Sequence, residues 1–434
     1  MLNTSSDTLR FDTVFTSTGS ITRFFRIYNN NDQKLLLSKV SLGGGSSSAF
    51  KINVDGLPGE TNNIEIAAND SVYVFVSVKI DPTAVDQPFI LQDSVHIQYN
   101  GNDSWVQLEA WGQNAHFLRS HIVTGNETWT NDKPYVILGG LQVDTNAVLT
   151  IGKSCRIYVH ANAPLLIDGT LQVNGEKFDS TRVIFQGDRL DEPYRNFPGA
   201  WPGIYFRGES KNNVLNYAII RNAYQGLVTE KSLASPKIIL KECIIDNCFD
   251  AGILAIQSSI KADNCLISNC GKNMILAFGG TYDFTHCTSA AYSNTYILHK
   301  EPVLQLSNSL SDGSTVIDAD LTANFINCIF WADQGIVDDE VVVSKQGNKI
   351  FNVNFKNCLW RVKNTPANIT SSAIIPNKDP MFDSINVERR FYNFELKQGS
   401  PAIDAGIATP LTIDLKGNAR TVNGKPDLGC YERN

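Results

Sequence analysis

Short apolar runs alternate with Asn, Asp and Gly positions at a constant interval in the middle of the chain. The segment 238–259 aligns with 260–281, and 282–303 follows at the same offset of 22 residues. No unit holds the ten or more residues of 3.6-residue periodicity that a helical repeat needs. Three short strands joined by turns fill a coil of this length. The pattern therefore predicts coils that stack as parallel strands about 4.8 Å apart, which is a parallel β-helix.

The cysteines follow the same repeat. Five of the nine fall at an offset of 22 residues in two slots, Cys243, Cys265 and Cys287 in one and Cys248 and Cys270 in the other. One coil earlier these slots hold Ala218 and Ala223, and no CxxC pair occurs. A slot that accepts alanine or cysteine favours packing, because free cysteine behaves as a small buried hydrophobe. We expect a stacked ladder of interior thiols, and the alternatives are a bridging disulfide and a metal site.

Asparagines recur beside the cysteines. Asn247 and Asn269 precede the second slot, and asparagine tolerates the unusual backbone angles of tight turns. We therefore expect a turn ladder. His286 stands where neighbouring coils place Asn, Glu or Lys, which favours a turn role over catalysis.

The first hundred or so residues have a different pattern. Apolar and polar positions alternate with period two in runs such as 71–80 and 93–99, and the turns between them are rich in Gly, Ser, Asn and Asp. About seven short strands in this length predict a β-sandwich. The segment resembles the immunoglobulin-like domains that precede enzymatic or adhesive domains on bacterial surface proteins. We place this domain at 1–115.

Three segments of the remaining chain carry a more specific resemblance. The stretch from Val143 to Gly175, "GAWPGIYF" at 199–206 and "GSPAIDAG…DLKGNAR…GKPDLGCYE" at 399–432 are similar to right-handed parallel β-helix proteins of bacterial cell surfaces, especially Bacteroides-type surface lipoproteins. The resemblance implies an exported, lipid-anchored precursor whose lipobox cysteine is outside this sequence. It implies no reaction, because this fold hosts lyases, hydrolases, esterases and binders. The expected architecture is all-β: the sandwich, a right-handed parallel β-helix at 116–398 and a C-terminal capping segment at 399–434.

The capping segment carries conspicuous charges. Asp404, Asp414, Asp427 and Arg420 could form a catalytic carboxylate set. We favour a structural interpretation, in which carboxylates pair with Arg420 and with backbone N–H groups and pin a segment that seals the last coil. An open β-helix end would expose apolar interior and unpaired strand edges.

Insertions break the period in three places, and functional residues concentrate on such loops. The insertion at 187–201 holds the aromatic residues Tyr194, Phe197 and Trp201, which are either loop anchors or platforms for sugar rings. Two later insertions hold the charged residues Asp312, Asp318, Asp320, Asp333, Asp338, Asp339 and Glu340, with Lys345 and Arg361 nearby. Ordinary solvated loop charge is the favoured interpretation, and calcium coordination and acid/base catalysis are the alternatives. As candidate ligand-binding residues we take the three aromatics with Asp318, Asp320, Asp338, Asp339, Glu340 and Arg361.

Known enzyme templates on this fold do not match. Polygalacturonase-like hydrolases carry Asn-Thr-Asp, Asp-Asp, Gly-His-Gly and Arg-Ile-Lys elements, and only the Asp338-Asp339 pair occurs here. Polysaccharide lyases need a base and a neutraliser of the uronate charge, often Ca²⁺. Residues of those types are present, but without a recognisable lyase signature. No cofactor is expected, apart from calcium as an option.

Composition narrows the partners. The formal net charge is −7, from 37 Lys and Arg against 44 Asp and Glu, and no basic cluster occurs, which disfavours nucleic acid. No apolar run reaches the length of a membrane span, and no signal peptide is visible, so we expect membrane association only through a lipid anchor. We expect an extracellular or outer-membrane protein, monomeric, that binds an extended ligand, most plausibly a polysaccharide. A carbohydrate-active enzyme such as a lyase is the alternative, and an adhesin or scaffold is a third possibility.

Overall fold

The computed structural model describes residues 2–15, 22–80, 89–231, 235–311, 315–333, 336–420 and 424–433. The described residues form almost exclusively strands and turns. Two compact units are distinguished by their contacts, one of Met1–His116 with Leu190–Arg195 and the other of Phe117–Arg189 with Asn196–Asn434. No helix among the described residues is long and apolar enough to cross a membrane.

The first unit is a two-sheet sandwich. Its strands are β1 Leu2–Thr4, β2 Thr8–Phe15, β3 Arg23–Asn29, β4 Leu35–Leu42, β5 Phe50–Val54, β6 Leu57–Pro58, β7 Thr61–Ile66, β8 Ser71–Val78, β9 Phe89–Tyr99 and β10 Asn102–Gln113, with a 3₁₀ turn at Gly45–Ser47. One sheet has the order β1-β3-β8-β5-β6 and the other β2-β10-β9-β4-β7. Every second residue of β8 is buried, and residues of both sheets, such as Val74 and Ile97, share one core. This alternation is what a sheet with one solvated face requires, and the predicted sandwich is confirmed.

The second unit is a solenoid built on one 26-stranded sheet in which each coil pairs in parallel with the next. Its strands up to the first insertion in the late coils are β11 His116–Val123, β12 Asn126–Trp129, β13 Tyr135–Val143, β14 Val148–Ile151, β15 Arg156–Val159, β16 Leu165–Ile167, β17 Thr170–Asn174, β18 Val183–Gly187, β19 Ile204–Phe206, β20 Asn213–Asn216, β21 Ala218–Arg221, β22 Gln225–Thr229, β23 Ile238–Lys241, β24 Ile244–Asp246, β25 Ala251–Asp263, β26 Leu266–Ser268, β27 Lys272–Thr285, β28 Thr288–Ala291 and β29 Leu304–Ser307. A 3₁₀ turn covers Tyr194–Asn196.

The later strands are β30 Ser309–Ser311, β31 Val316–Asp318, β32 Leu321–Ile326, β33 Ile329–Ala332, β34 Val341–Ser344, β35 Phe351–Lys356, β36 Leu359–Trp360, β37 Thr370–Ser372, β38 Ile375–Pro376, β39 Phe382–Asn386 and β40 Phe391–Leu396. The pairs β30–β31 and β39–β40 are antiparallel hairpins outside the main sheet. We call β39–β40 the C-terminal hairpin.

The register of the solenoid reproduces the repeat. Ile238 pairs with Ile260, and Ile260 pairs with Tyr282, so both steps span 22 residues. Like residues therefore stack above like, and the rings of Phe325 and Phe355 lie parallel with centroids 4.7 Å apart. A continuous apolar column fills the interior. The predicted parallel β-helix is confirmed.

All nine cysteines are free and buried. Cys243, Cys265 and Cys287 interact through their thiols from coil to coil, and burial raises the pKa of each of them well above the usual value. A neutral thiol is the form that such an apolar column accommodates. These cysteines therefore fill interior space, as the alternation with alanine predicts.

Residues with a left-handed backbone conformation form two ladders along the solenoid. In each coil one such residue precedes a short strand such as β24, and another follows that strand. The first precedes the Cys243 slot and comprises Tyr217, Glu242, Asn264, His286, Asn327 and Asn357, with φ between 48° and 55°. The second precedes the Cys248 slot and comprises Asn222, Asn247 and Asn269, with φ between 52° and 62°. Asparagine is favoured there because its short polar side chain tolerates the left-handed conformation.

The first ladder binds the cap, which we define as residues 399–420 and 424–433. The Nδ2 atoms of Asn357, Asn327 and Asn264 donate to the carbonyl oxygens of Ala405, Ile407 and Ile413 at 2.8 to 2.9 Å. The cap therefore runs back along the coils in reverse order. Its apolar side chains, with those of the C-terminal hairpin, cover outward residues of the coils such as Leu266, Ile329 and Leu359. It closes a lateral face of the solenoid, whereas we expected it to seal the last coil.

The charged residues of the cap hold it in place. Asp427 accepts bonds from the backbone N–H groups of Asp404 and Arg433, both at 2.8 Å. Arg420 is buried and pairs with Glu432 at 3.1 Å, and Asp414 accepts backbone N–H groups at 2.8 to 3.0 Å. These contacts agree with the structural interpretation of the motif.

Candidate functional site

A polar pocket lies along the second ladder. Its volume is 220 Å³, and its amide-bearing residues are Asn196, Asn222, Asn247, Asn269 and Asn294. Small-molecule sites usually measure roughly 300–1,000 Å³. This pocket therefore has room for about one sugar unit, and the remainder of a longer ligand would lie on the adjoining surface.

The floor of the pocket is a connected amide network. Asn247 Nδ2 donates to Asn222 Oδ1 at 2.8 Å and to the carbonyl oxygen of Asn196 at 3.0 Å. Asn269 Oδ1 accepts the backbone N–H of Tyr292 at 3.1 Å. The coil repeat thus places one amide per coil on the floor, and the contact with Asn196 ties the 187–201 insertion to it.

One carboxyl group lies in this pocket. Asp246 ends β24, and its Oδ1 accepts the Ser268 hydroxyl at 2.7 Å and the Asn269 amide at 3.3 Å. Burial raises the pKa of Asp246 above its usual 3.8, and the bonds from Ser268 and Asn269 oppose this shift. A carboxyl group with a raised pKa in a concave polar site is a candidate for acid/base chemistry or for ligand binding.

Asp246 should give the protein a measurable pH dependence. Because the pKa is higher in the folded than in the unfolded chain, the folded state binds more protons between 3.8 and the raised value. The free energy of unfolding should therefore fall as the pH rises through that range, by at most about 1.4 kcal/mol per pH unit. The free energy of unfolding of the wild type and of Asp246→Asn is measured with denaturant between pH 4 and 7. We expect it to fall less steeply with pH in the variant. Equal slopes for the two proteins would contradict the raised pKa.

Arginines border the pocket. Arg221 lies at its β21 side, and Arg389 and Arg390 lie in the turn of the C-terminal hairpin. The Arg390 guanidinium stands 4.7 Å from the centroid of the Tyr296 ring and donates through Nη1 to the carbonyl oxygen of Asn196 at 3.4 Å. The hairpin is anchored on the coils through Phe394, so an element near the end of the chain completes a site on the central coils.

Aromatic rings surround the same region. Phe197 packs against Tyr296 with centroids 4.7 Å apart. Tyr392 of the hairpin lines the pocket, and burial raises the pKa of its hydroxyl. Two further rings, Tyr224 and Phe249, are 46% and 50% exposed, lie one coil apart and are nearly parallel, with centroids 5.7 Å apart. Gly199 passes beside this pair, since a Cβ there would lie 3.3 Å from Phe249.

The aromatic residues predicted from the 187–201 insertion have three different environments. Phe197 packs against Tyr296, the ring over which the pocket residue Arg390 lies. Tyr194 is exposed in its 3₁₀ turn and belongs to the first compact unit. Trp201 is fully buried in the solenoid core, where its indole N–H donates to the carbonyl oxygen of Arg221 at 2.9 Å. Of the two roles left open for Trp201, the structure agrees with the loop anchor and not with the sugar platform, because no face of its ring is open to a ligand.

The predicted carboxylates Asp318 and Asp320 lie together but apart from this pocket. Asp318 Oδ2 accepts the backbone N–H groups of Asn348 and Lys349 at 2.8 and 3.0 Å, and Asp320 accepts that of Ile350 at 3.0 Å. The bond from Lys349 is the main cause that lowers the pKa of Asp318. Both residues line a second pocket of 310 Å³. Their bonds serve mainly to fix the late insertion.

The other predicted charges form a structural cluster. Glu340 is fully buried, and its Oε1 meets His299 Nε2 at 3.0 Å and Arg361 Nη2 at 2.8 Å. Asp339 accepts the backbone N–H of Lys363 at 2.6 Å, and Asp338 forms an exposed ion pair with the same lysine. Buried Glu340 is therefore satisfied by protein groups.

Three further residues of the predicted insertions lie in different places. Asp333 accepts the backbone N–H of Ser293 at 2.7 Å, and Lys345 lies 5.6 Å from the Phe351 ring. Asp312 lies outside the described residues. Among the residues that are described, no three His, Cys, Asp or Glu side chains are grouped so that they could hold a metal ion. Calcium dependence stays a prediction.

The sequence did not indicate Arg389, Arg390, Tyr392 or Asp246. The two arginines stand in a short turn 143 positions after Asp246 (389 − 246 = 143), and no local pattern connects them. Asn247 and Asn269 were identified, but only as turn residues.

Comparison with known proteins agrees with the fold. A family model described as a right-handed β-helix region matches residues 137–289. The chain folds as a right-handed parallel β-helix. A search of curated proteins finds no match.

Solved structures give distant similarities. The catalytic unit of a GH87 alpha-1,3-glucanase from Streptomyces thermodiastaticus aligns over 81% of this chain and 89% of its own, with 13% identity and a TM-score of 0.27. A family 123 glycoside hydrolase from Clostridium perfringens aligns over 28% of this chain, with 11% identity and a TM-score of 0.21, and VesB protease from Vibrio cholerae aligns over 26%, with 10% identity and a TM-score of 0.19. The present chain spans only 30% and 31% of the latter two.

Proposed function

We propose that this protein binds a polysaccharide at the bacterial cell surface and that the pocket along the second ladder is the binding site. The observation that carries the proposal is the pocket's composition: an amide floor, a carboxyl group, arginines and the ring of Tyr392 line one concave surface. Amides and charged groups bind sugar hydroxyls, and flat rings cover the apolar faces of sugars. Resemblance to surface lipoproteins supports the location.

The extended form of the ligand follows from the solenoid. Three successive coils contribute Asn222, Asn247 and Asn269 to the floor, and the stacked rings of Tyr224 and Phe249 follow the first two of these by two positions. A pocket with the volume of about one sugar unit on such a surface suits a polymer better than a small free sugar.

A carbohydrate-active enzyme is the second candidate, and Asp246 is the observation that favours it. Its raised pKa is suited to proton transfer, and charge interaction with Asp246 adds to the raised pKa of Tyr392. The test is incubation with acidic and neutral polysaccharides, with and without Ca²⁺. Retention without new products supports a binder, and unsaturated or shortened products support an enzyme. The absence of both would leave the adhesin or scaffold interpretation.

The exposed rings should contribute directly to binding. Replacing Tyr224 and Phe249 together with alanine should weaken the affinity for the retained polysaccharide about thirtyfold, since each ring is expected to contribute about 1 kcal/mol. Affinity electrophoresis measures this change. Phe178→Ala, which removes another exposed ring of the same unit, is the matched control. Equal affinities for the double variant and the control would contradict the proposed surface.

A further inference from the structure

The charge of the pocket is opposite to the charge of the protein. The chain has a formal net charge of −7, yet the described lining of the pocket holds Arg221, Arg389 and Arg390 against the carboxyl group of Asp246. Positive charge concentrated in a cleft attracts anions and raises their local concentration. The positive charge of the pocket therefore indicates a ligand that carries negative charge.

We propose that the ligand is an anionic polysaccharide, whose carboxylate or sulfate group binds Arg389 and Arg390. This inference rests on the proposed function and adds the chemical class of the ligand. Guanidinium groups bind carboxylate and sulfate through paired N–H donors, and opposite charge strengthens these hydrogen bonds. A neutral sugar offers hydroxyl groups but no opposite charge.

The two arginines are available for such a ligand. Neither forms a salt bridge with any residue in the described ranges. Arg390 uses one donor at a long 3.4 Å contact and otherwise lies over the Tyr296 ring. A guanidinium has five N–H donors, so most of those of Arg390 are left for a ligand.

The arginines are also held in position before any ligand binds. Arg390 has a left-handed φ of 51°, and its N–H donates to the carbonyl oxygen of Val387 at 3.2 Å, which closes the turn. The backbone N–H of Arg389 donates to Asn386 Oδ1 at 2.9 Å. The Tyr296 ring then fixes the direction of the Arg390 side chain, and pre-organisation of this kind lowers the entropic cost of binding.

Among the described residues that line the pocket Asp246 is the acidic one, and Asp333 also acts on Tyr392 through its charge. The surroundings of Asp246 weaken its opposition to an anion. The Ser268 hydroxyl and the Asn269 amide donate to it, so part of its charge is already compensated. Burial also raises its pKa, which favours the neutral acid. The balance of the pocket is therefore cationic.

Two matched pairs of polysaccharides test the inference: polygalacturonate against its methyl-esterified form, and dextran sulfate against dextran. The variant is Arg389→Gln with Arg390→Gln, and the control is Lys153→Gln with Lys363→Gln, which removes two exposed cations outside the pocket. We expect at least one anionic polymer to bind ten-fold or more tightly than its neutral partner. The arginine variant should lose that preference, and the control should keep it. Coincident thermal unfolding curves establish that the variants are folded.

The outcomes separate the two proposals. Preference for polygalacturonate alone identifies a carboxylate ligand, and preference for dextran sulfate alone identifies a sulfate ligand. Equal binding of charged and neutral partners, or equal losses in variant and control, would overturn the anionic class while polysaccharide binding stands. No binding to any polymer would overturn the proposed function itself.

Discussion

Replacing Arg420 with alanine should lower the free energy of unfolding by about 3–5 kcal/mol, because it leaves buried partners without their cation. Arg420 is almost fully buried, and its Nη1 pairs with Glu432 at 3.1 Å. Its other nitrogens donate to Asn264 Oδ1 at 2.7 and 3.2 Å and to the carbonyl oxygens of Ile413 and Gly429 at 3.0 and 3.1 Å. One side chain therefore joins two parts of the cap to the first ladder.

Denaturant unfolding followed by tryptophan fluorescence measures this loss. Lys363→Ala is the control, because it breaks an exposed ion pair and should cost less than about 1 kcal/mol. If Arg420→Ala were as mild as the control, the cap would not depend on this residue. A variant that unfolds like the wild type but loses polysaccharide binding would instead give Arg420 a functional role.

Replacing Gly203 with alanine should be the most damaging single methyl addition in the solenoid. A Cβ at this position would lie 1.7 Å from the carbonyl oxygen of Gln225 in the next coil, and the φ of 127° is itself unfavourable for alanine. Gly203 lies where the 187–201 insertion rejoins the stack, two residues after the buried Trp201. We expect a loss of more than about 4 kcal/mol, in the range of exceptional core mutations.

Gly399→Ala is the matched control, since Gly399 has a φ of 88° but no atom within 4 Å of an added Cβ. It should cost only the conformational penalty, about 1–2 kcal/mol. The difference between the two losses of unfolding free energy then measures the clash together with any difference in backbone strain between a φ of 127° and one of 88°. Equal costs would show that the coils around Gly203 can separate without loss.

The fold could be predicted from the sequence because its signals are local and repeated. The 22-residue offset of Cys243 and Cys265 predicts the register that Ile238 and Ile260 show. Period-two alternation likewise predicts β8 of the sandwich. A repeat averages over many residues, so single irregular positions do not hide it.

The candidate site was only partly predictable, because it depends on contacts between distant segments. The turn role of Asn247 was evident, but its pocket is completed by Arg390 on a hairpin that follows the last coil. For Trp201 the sequence left two roles open, loop anchor and sugar platform. Its indole is buried in the core, which agrees with the anchor, and the contacts that bury it come from coils that the local sequence does not show.

Because the cap runs back along the coils, the coils and the cap must fold in a fixed order. Stacked coils usually form and fray one at a time, because each contacts only its neighbours. Here Arg182 donates to the carbonyl oxygen of Leu415, 233 residues later. Asn264 and Asn357 of later coils donate to the carbonyl oxygens of Ile413 and Ala405, which precede Leu415 in the cap. During synthesis the lateral face of the early coils therefore stays uncovered until the cap residues have been made and pack along it. From then on the cap joins the coils between Arg182 and Asn357, and separation of single coils within this span is opposed by the whole segment.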